Sequence, residues 1–139
     1  MSIPNTATES PTAPTRVLLV EDDPLVARAV KRALRPHAIE VTHAMSKKDV
    51  LALREQLDLG IFDIDLPDSN GVELAELCVT QGQVAQVVFF SGTENPGKVT
   101  AARRLGELIG KAEGVQRLVA HVVAACHRPS GVYGKPTLG

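Results

Sequence analysis

Glu21, Asp22, Asp63, Ser91 and Lys111 lie far apart in the chain, yet each closes a short apolar run. Glu21 and Asp22 follow Val17-Leu18-Leu19-Val20, Asp63 follows Gly60-Ile61-Phe62, Ser91 follows Val87-Val88-Phe89-Phe90, and Lys111 follows Leu108-Ile109-Gly110. Apolar runs without polar alternation read as parallel strands covered on both faces, so all these groups are expected at one sheet edge. Carboxylates, a hydroxyl and an ammonium are what a Mg²⁺-dependent phosphoryl transfer onto an aspartate needs. Mg²⁺ takes oxygen ligands in near-octahedral geometry and keeps several waters, so a few carboxylates leave room for a phosphate. Asp63 is a weak nucleophile, and the metal with Lys111, a mobile point charge, offsets charge on the transferring oxygens.

The elements that must position these groups alternate regularly. A strand over Val17 to Glu21 leads into a helix opened by Asp23-Pro24, an acidic cap followed by proline at the first helical position. Leu25, Val26, Ala29, Val30, Ala33 and Leu34 form its expected apolar stripe, Arg28, Lys31, Arg32 and Arg35 its charged face, and Pro36 its stop. Ile39 to His43 reads as a strand, and Ser46 caps a helix expected to run to about Leu57, with Val50, Leu51 and Leu53 inside. Leu59 to Asp63 is the central strand. A loop ending Asp68-Ser69-Asn70-Gly71 opens a third helix, which turns Val72, Leu74, Ala75, Leu77 and Cys78 inward and ends at Gly82. Val84 to Ser91, a helix from Asn95-Pro96 to about Leu105, a strand over Glu107 to Gly110 and a helix over Gly114 to His127 complete the chain. Strands alternating with helices at this density imply a parallel sheet with helices on both faces, whose ligands bind outside the carboxyl ends of the strands.

At 139 residues the chain suits one domain. Residues 1–15 are expected to be a disordered leader, 16–127 the folded domain and 128–139 a flexible tail, because the outer segments are rich in Pro, Thr, Ser or Gly. A net charge of -1 gives no global pull toward nucleic acid or acidic membranes. Aromatics at 3% leave no base-stacking platform, and the tail after His127 is too short for a DNA-binding domain, so no direct DNA binding is expected. Cys78 and Cys126 lack metal or redox spacing and read as small buried hydrophobes. With neither a targeting segment nor a membrane-length apolar run, a cytoplasmic protein is expected. His37, His43, His121 and His127 share no metal spacing and read as surface or satisfied side chains.

Taken singly, EDDP is a helix start, DSNG a turn and a lysine after a strand a solvated charge. In this order and spacing, VLLVEDDP, DLGIFDIDLPDSNGVEL, VVFFSGT and LIGK resemble the receiver domain of two-component response regulators, over about Arg16 to Cys126. The resemblance implies a flavodoxin-like doubly wound α/β fold, (βα)5, with strand order 2-1-3-4-5. It also implies that Asp63 accepts a phosphoryl group from a sensor histidine kinase or phosphotransfer protein. Glu21, Asp22 and Asp63 would hold Mg²⁺ with the Asp65 backbone carbonyl, while Ser91 and Lys111 contact the phosphoryl oxygens. A non-enzymatic, stand-alone regulator follows, monomeric or weakly dimeric on phosphorylation, which signals to a downstream protein by contact. The first helix is also where such domains meet their phosphodonor.

The chain departs from the family pattern at Ala112, where proline usually follows the lysine, and at Leu108, where an aromatic switch residue is usual; the fourth helix is short. Without the proline, a cis bond after the lysine would cost about 3 kcal/mol. Two alternatives stay open: a pseudo-receiver that binds partners without phosphorylation, and a phosphatase, because Asp63-Ile64-Asp65 also resembles the nucleophile motif of haloacid dehalogenases.

Overall fold

The computed structural model describes residues 15–127. The expected leader and tail therefore lie outside the described residues, apart from Thr15, which opens the first strand. The strands are β1 (Thr15–Val20), β2 (Ile39–Ala44), β3 (Leu57–Phe62), β4 (Val84–Ser91) and β5 (Glu107–Gly110). The helices are α1 (Pro24–Leu34), α2 (Lys47–Leu51), α3 (Gly71–Thr80), α4 (Pro96–Leu105) and α5 (Val115–Cys126), with 3-10 turns at Arg35–His37 and Lys111–Glu113. All neighbouring strands are parallel, in the order β2-β1-β3-β4-β5.

The two-residue side-chain period of a strand divides the apolar runs between two cores. Val17, Leu19, Ile61, Val88, Phe90 and Ile109 pack with Ala27, Val30 and Leu34 of α1 and with Leu118, Val119 and Val122 of α5. Leu18, Val20, Phe62 and Phe89 face the opposite core with Val50 of α2, Val72, Leu74 and Ala75 of α3, and Ala102 of α4. The Phe62 and Phe89 rings, 6.4 Å apart, fill its centre in a tilted contact.

Two helices differ from expectation. On α1 the buried positions are Ala27, Val30 and Leu34, whereas Leu25 is 70% exposed and Ala29 is also exposed. Because α1 packs against α5 as well as the sheet, its buried face is rotated from the stripe that Leu25 and Ala29 suggested. Helix α2 ends at Leu51, not near Leu57, and leaves Leu51 exposed. The polar run Arg54-Glu55-Gln56 has no apolar stripe to bury, and the Leu57 amide donates to the Gln83 carbonyl at 2.8 Å, which recruits Leu57 into β3. Arg16 secures the turn between them by pairing with Glu55.

Caps set most helix starts. Asp23, Ser46, Asn70 and Asn95 each accept a main-chain N–H from the first turn of α1, α2, α3 and α4, respectively. Helix α2 has a second cap from far along the chain: the Asp68 carboxylate accepts from Lys47 N at 3.0 Å and Lys48 N at 3.2 Å. These amides, Lys47 first, hold the Asp68 carboxyl below its usual range.

Candidate functional site

Strand register builds the site. Val20 of β1 lies opposite Phe62 of β3, and the ladder continues one step further, with Asp63 N donating to Val20 O at 2.9 Å and Glu21 N to Ala44 O at 3.0 Å. Glu21 and Asp63 thus stand side by side just past their strands. Ser91 at the end of β4 is paired with Gly110 at the end of β5, which puts Lys111 one residue beyond.

The buried Glu21 and Asp63 and the exposed Asp22 offer carboxylate oxygens that lie within 4.8 Å of one another. Lys111 joins the two buried ones, its Nζ 3.0 Å from Glu21 Oε1 and 3.0 Å from Asp63 Oδ2. Asp63 Oδ1 accepts from Ile64 N at 2.7 Å. Ser91 Oγ, also buried, accepts from Ile64 N at 3.4 Å and Thr93 N at 3.2 Å, which leaves its O–H as a donor toward the site. The Glu21 carboxylate accepts from Asp23 N at 3.0 Å, and its main-chain carbonyl accepts from His43 Nε2 at 2.7 Å. His43 is therefore a satisfied histidine.

Desolvation pushes the Glu21 carboxyl above its usual range, against the lowering effects of the Asp23 amide and Lys111. Burial works to lower the Lys111 pKa, but its hydrogen bonds to Glu21 and Asp63 prevail and hold it above the usual lysine value. Three carboxylates against one ammonium leave two negative charges uncompensated, the charge a divalent cation carries. Hard oxygen donors, two of them buried and one open to water, suit Mg²⁺ with part of its hydration shell retained. The set fits the metal.

Lys111 reaches both carboxylates through the 3-10 turn Lys111–Glu113, with Ala112 in the usual proline position and no cis peptide bond among the described residues. Asp65, whose main-chain carbonyl is the expected further ligand, turns its carboxylate the other way, onto Lys98 of α4 at 2.9 Å. This ion pair was not legible in the sequence: Lys98 sits in an ordinary helix-start pattern, and only the packing of α4 brings it to the β3–α3 loop. The thiols of Cys78 and Cys126 are free, and burial pushes each up to about 11, as suits inert packing groups.

Gly71 has a role that its turn-like sequence conceals. Its N–H donates to Ile64 O at 2.7 Å, and an added Cβ would collide with the Asp63 carbonyl and sit 2.8 Å from Ile64 Cα. The start of α3 thus presses on the backbone that carries Asp63. Gly71→Ala is expected to cost about 3 kcal/mol, the upper end for overpacking, because main chain rather than a flexible side chain must yield. Urea melts check this, with a tolerated alanine showing that the loop can move aside.

This sheet order, with acidic groups and a lysine at its carboxyl edge, is the flavodoxin-like receiver architecture. The chain belongs to the response regulator receiver domain family, whose family model matches residues 17–123. It is therefore a receiver domain of the two-component signalling type, a family in which Mg²⁺ and phosphorelay are typical. It is 29% identical over 119 residues to the KDP operon transcriptional regulatory protein KdpE of Escherichia coli K12, covering 84% of this chain and 53% of that protein. Identity to the DNA-binding transcriptional activator EvgA of the same strain is 24% over 114 residues, covering 78% and 55%. An uncharacterized transcriptional regulatory protein of Bacillus subtilis 168, YbdJ, is 26% identical over 92 residues, covering 66% of this chain and 41% of its own. The chain spans about half the length of these curated relatives. Among solved structures, a CheY-like receiver domain of Methanospirillum hungatei JF-1 superposes with a TM-score of 0.71 at 25% identity, over 78% of this chain and 90% of its own. The BeF3-activated receiver domain of Thermotoga maritima DrrB shares the fold at a TM-score of 0.72 and 20% identity, over 83% and 99%.

Proposed function

We propose that this receiver accepts a phosphoryl group on Asp63 from a sensor histidine kinase or phosphotransfer protein and signals by protein contact, without binding DNA itself. The observation that carries this is the joint placement of Asp63 Oδ2 and Glu21 Oε1 on Lys111, with Asp22 at the open side. An Asp63 oxygen attacks phosphorus as the bond to the donor histidine nitrogen breaks and the departing ring retains the electron pair. Glu21, Asp22, Asp63 and the Asp65 carbonyl would hold Mg²⁺, which when bound supplies positive charge to the phosphoryl oxygens. Lys111 and the Ser91 hydroxyl take the remaining oxygens, and Ile64 N–H keeps the Asp63 carboxylate aimed.

The donor would dock over an apolar hollow of about 290 Å³ beside Lys111, lined by Leu25, Val26, Ala29, Phe90, Gly114 and Val115. The exposed Leu25 supplies its rim, and Arg28, Lys31 and Arg32 continue along α1 toward Arg35 just past its end. A cytoplasmic setting is part of this reading, and no helix among the described residues is long and apolar enough to cross a membrane. The protein is taken as a monomer or a weak phosphorylation-dependent dimer.

Beryllofluoride, which mimics a phosphoryl group on an aspartate, tests the reading by NMR. Strong shifts are expected at Glu21, Asp22, Asp63, Ser91 and Gly92, but weak ones from Gly114 to Cys126. Leu108 is half-buried against the core that holds Phe89 and Ala102 and has no ring to exchange between two positions, so the α4–β5–α5 face contributes little differential energy. Unmoved resonances around Asp63 would favour a pseudo-receiver. Large shifts throughout α5 would show that Leu108 has not uncoupled the switch.

A further inference from the structure

Asp22 forms the open side of the carboxylate set and is exposed, so its aim follows the main chain that carries it. That chain is pinned on both sides. The peptide after Asp22 carries the Asp23 N–H, which donates to Glu21 Oε2 at 3.0 Å. The peptide before it carries the Glu21 carbonyl, which accepts from His43 Nε2 at 2.7 Å. A peptide unit is planar, so holding its oxygen fixes the plane from which Asp22 departs. The sheet ladder does not supply this hold. Glu21 N still pairs with Ala44 O, but β2 ends there, and Met45 N turns to the Asp49 carboxylate at 2.9 Å as the chain enters α2. His43 takes over as donor where the main-chain ladder stops. The two-residue strand period that turns Ile39 and Val41 toward the α1 core brings His43 to the same side.

Resting on the reading that Glu21, Asp22 and Asp63 hold Mg²⁺, we infer that His43 is a positioning residue for that site, acting through the Glu21–Asp22 peptide rather than on the ion. A carbonyl oxygen can only accept, so the neutral ring must carry its proton on Nε2 and leave Nδ1 bare. Without that donor the peptide gains freedom to rotate, and ordering Asp22 onto the ion costs affinity at each binding event. Partners that orient metal ligands are typically worth about 10–100-fold in affinity. His43 is half-buried and holds main chain rather than the ligand atom, so its share is that of one ordinary hydrogen bond, about three- to tenfold.

The test titrates Mg²⁺ into the full chain and its variants by calorimetry. His43→Leu, which keeps the bulk but has no donor, is expected to weaken Mg²⁺ binding about three- to tenfold. His43→Gln should restore it, because its amide nitrogen stands as many bonds from Cβ as Nε2 does and also donates. A merely structural histidine would instead lower the urea midpoint without Mg²⁺ and leave the affinity of the folded protein unchanged. Nitrogen NMR of the parent at mildly alkaline pH needs no variant and should find the ring proton on Nε2. A ring protonated on Nδ1, an unchanged affinity in His43→Leu, or a glutamine variant as weak as the leucine one overturns the inference and leaves the Mg²⁺ site standing. A parent chain with no saturable Mg²⁺ binding overturns the metal reading, and the inference with it.

Discussion

Incubated with Mg²⁺ and a small acyl-phosphate donor, the protein should gain one base-labile phosphoryl group, and Asp63→Asn should gain none. The asparagine oxygen can still accept from Ile64 N, so the loop has little reason to move, but the neutral amide is no nucleophile. Its NH₂ also turns a donor toward the Lys111 ammonium, where the parent offers Oδ2 at 3.0 Å. The expected difference is complete loss of label. Equal labelling of parent and variant by intact mass would move the acceptor to another residue. Continuing release of product from a generic phosphate ester would instead favour the phosphatase alternative.

The second large effect is on stability. Lys111→Met removes the only cation that touches both buried carboxylates among the described residues and leaves acidic oxygens within 4.8 Å of one another. Two such charges repel by about 3 kcal/mol at an effective dielectric near 20, before ionic screening. Breaking a buried pair costs about 3–5 kcal/mol, and the 28% exposure of the lysine side chain brings the expected loss toward the lower end, about 3 kcal/mol. This corresponds to a melting temperature lowered by roughly 10 °C without Mg²⁺. Millimolar Mg²⁺ should recover more in the variant than in the parent, because it replaces the missing positive charge. Asp63→Ala, which deletes a carboxylate and leaves Lys111 with Glu21, should raise the melting temperature.

The variant also carries a pH signature. Burial already holds Glu21 above the usual carboxylate range, and losing Lys111 removes two of the influences that lower it. A carboxyl whose pKa is higher in the folded than the unfolded chain binds its proton more tightly when folded. Stability therefore falls as pH rises from the usual carboxylate value through the raised one. The deficit of Lys111→Met should be smaller at mildly acidic pH than at neutral pH. Thermal melts showing the same deficit at both would mean that Glu21 is not the strained group.

The residue types of the site, the strand and helix order and most caps could be read locally. An apolar run ended by a polar residue marks a strand end, Asp-Pro and Asn-Pro mark helix starts, and the β5 limits at Glu107 and Gly110 coincide with the pattern. These signals depend on neighbours within a few positions. What lies outside that range was settled by packing. The register of Val20 against Phe62 sets Glu21 beside Asp63, and the sheet order brings Lys111 to both. The α1 face turned because α5 shares its burial, and α2 ended early because Leu57 gains more from the sheet than from another helical turn. Gly71 reads as a turn residue in sequence but is required by the approach of α3 to the Asp63 carbonyl, and Lys98 meets Asp65 only because α4 crosses that loop. Local periodicity decides what an element is and which chemistry its end carries; which side chains touch is a sum over segments far apart in the chain, and only the folded structure evaluates it.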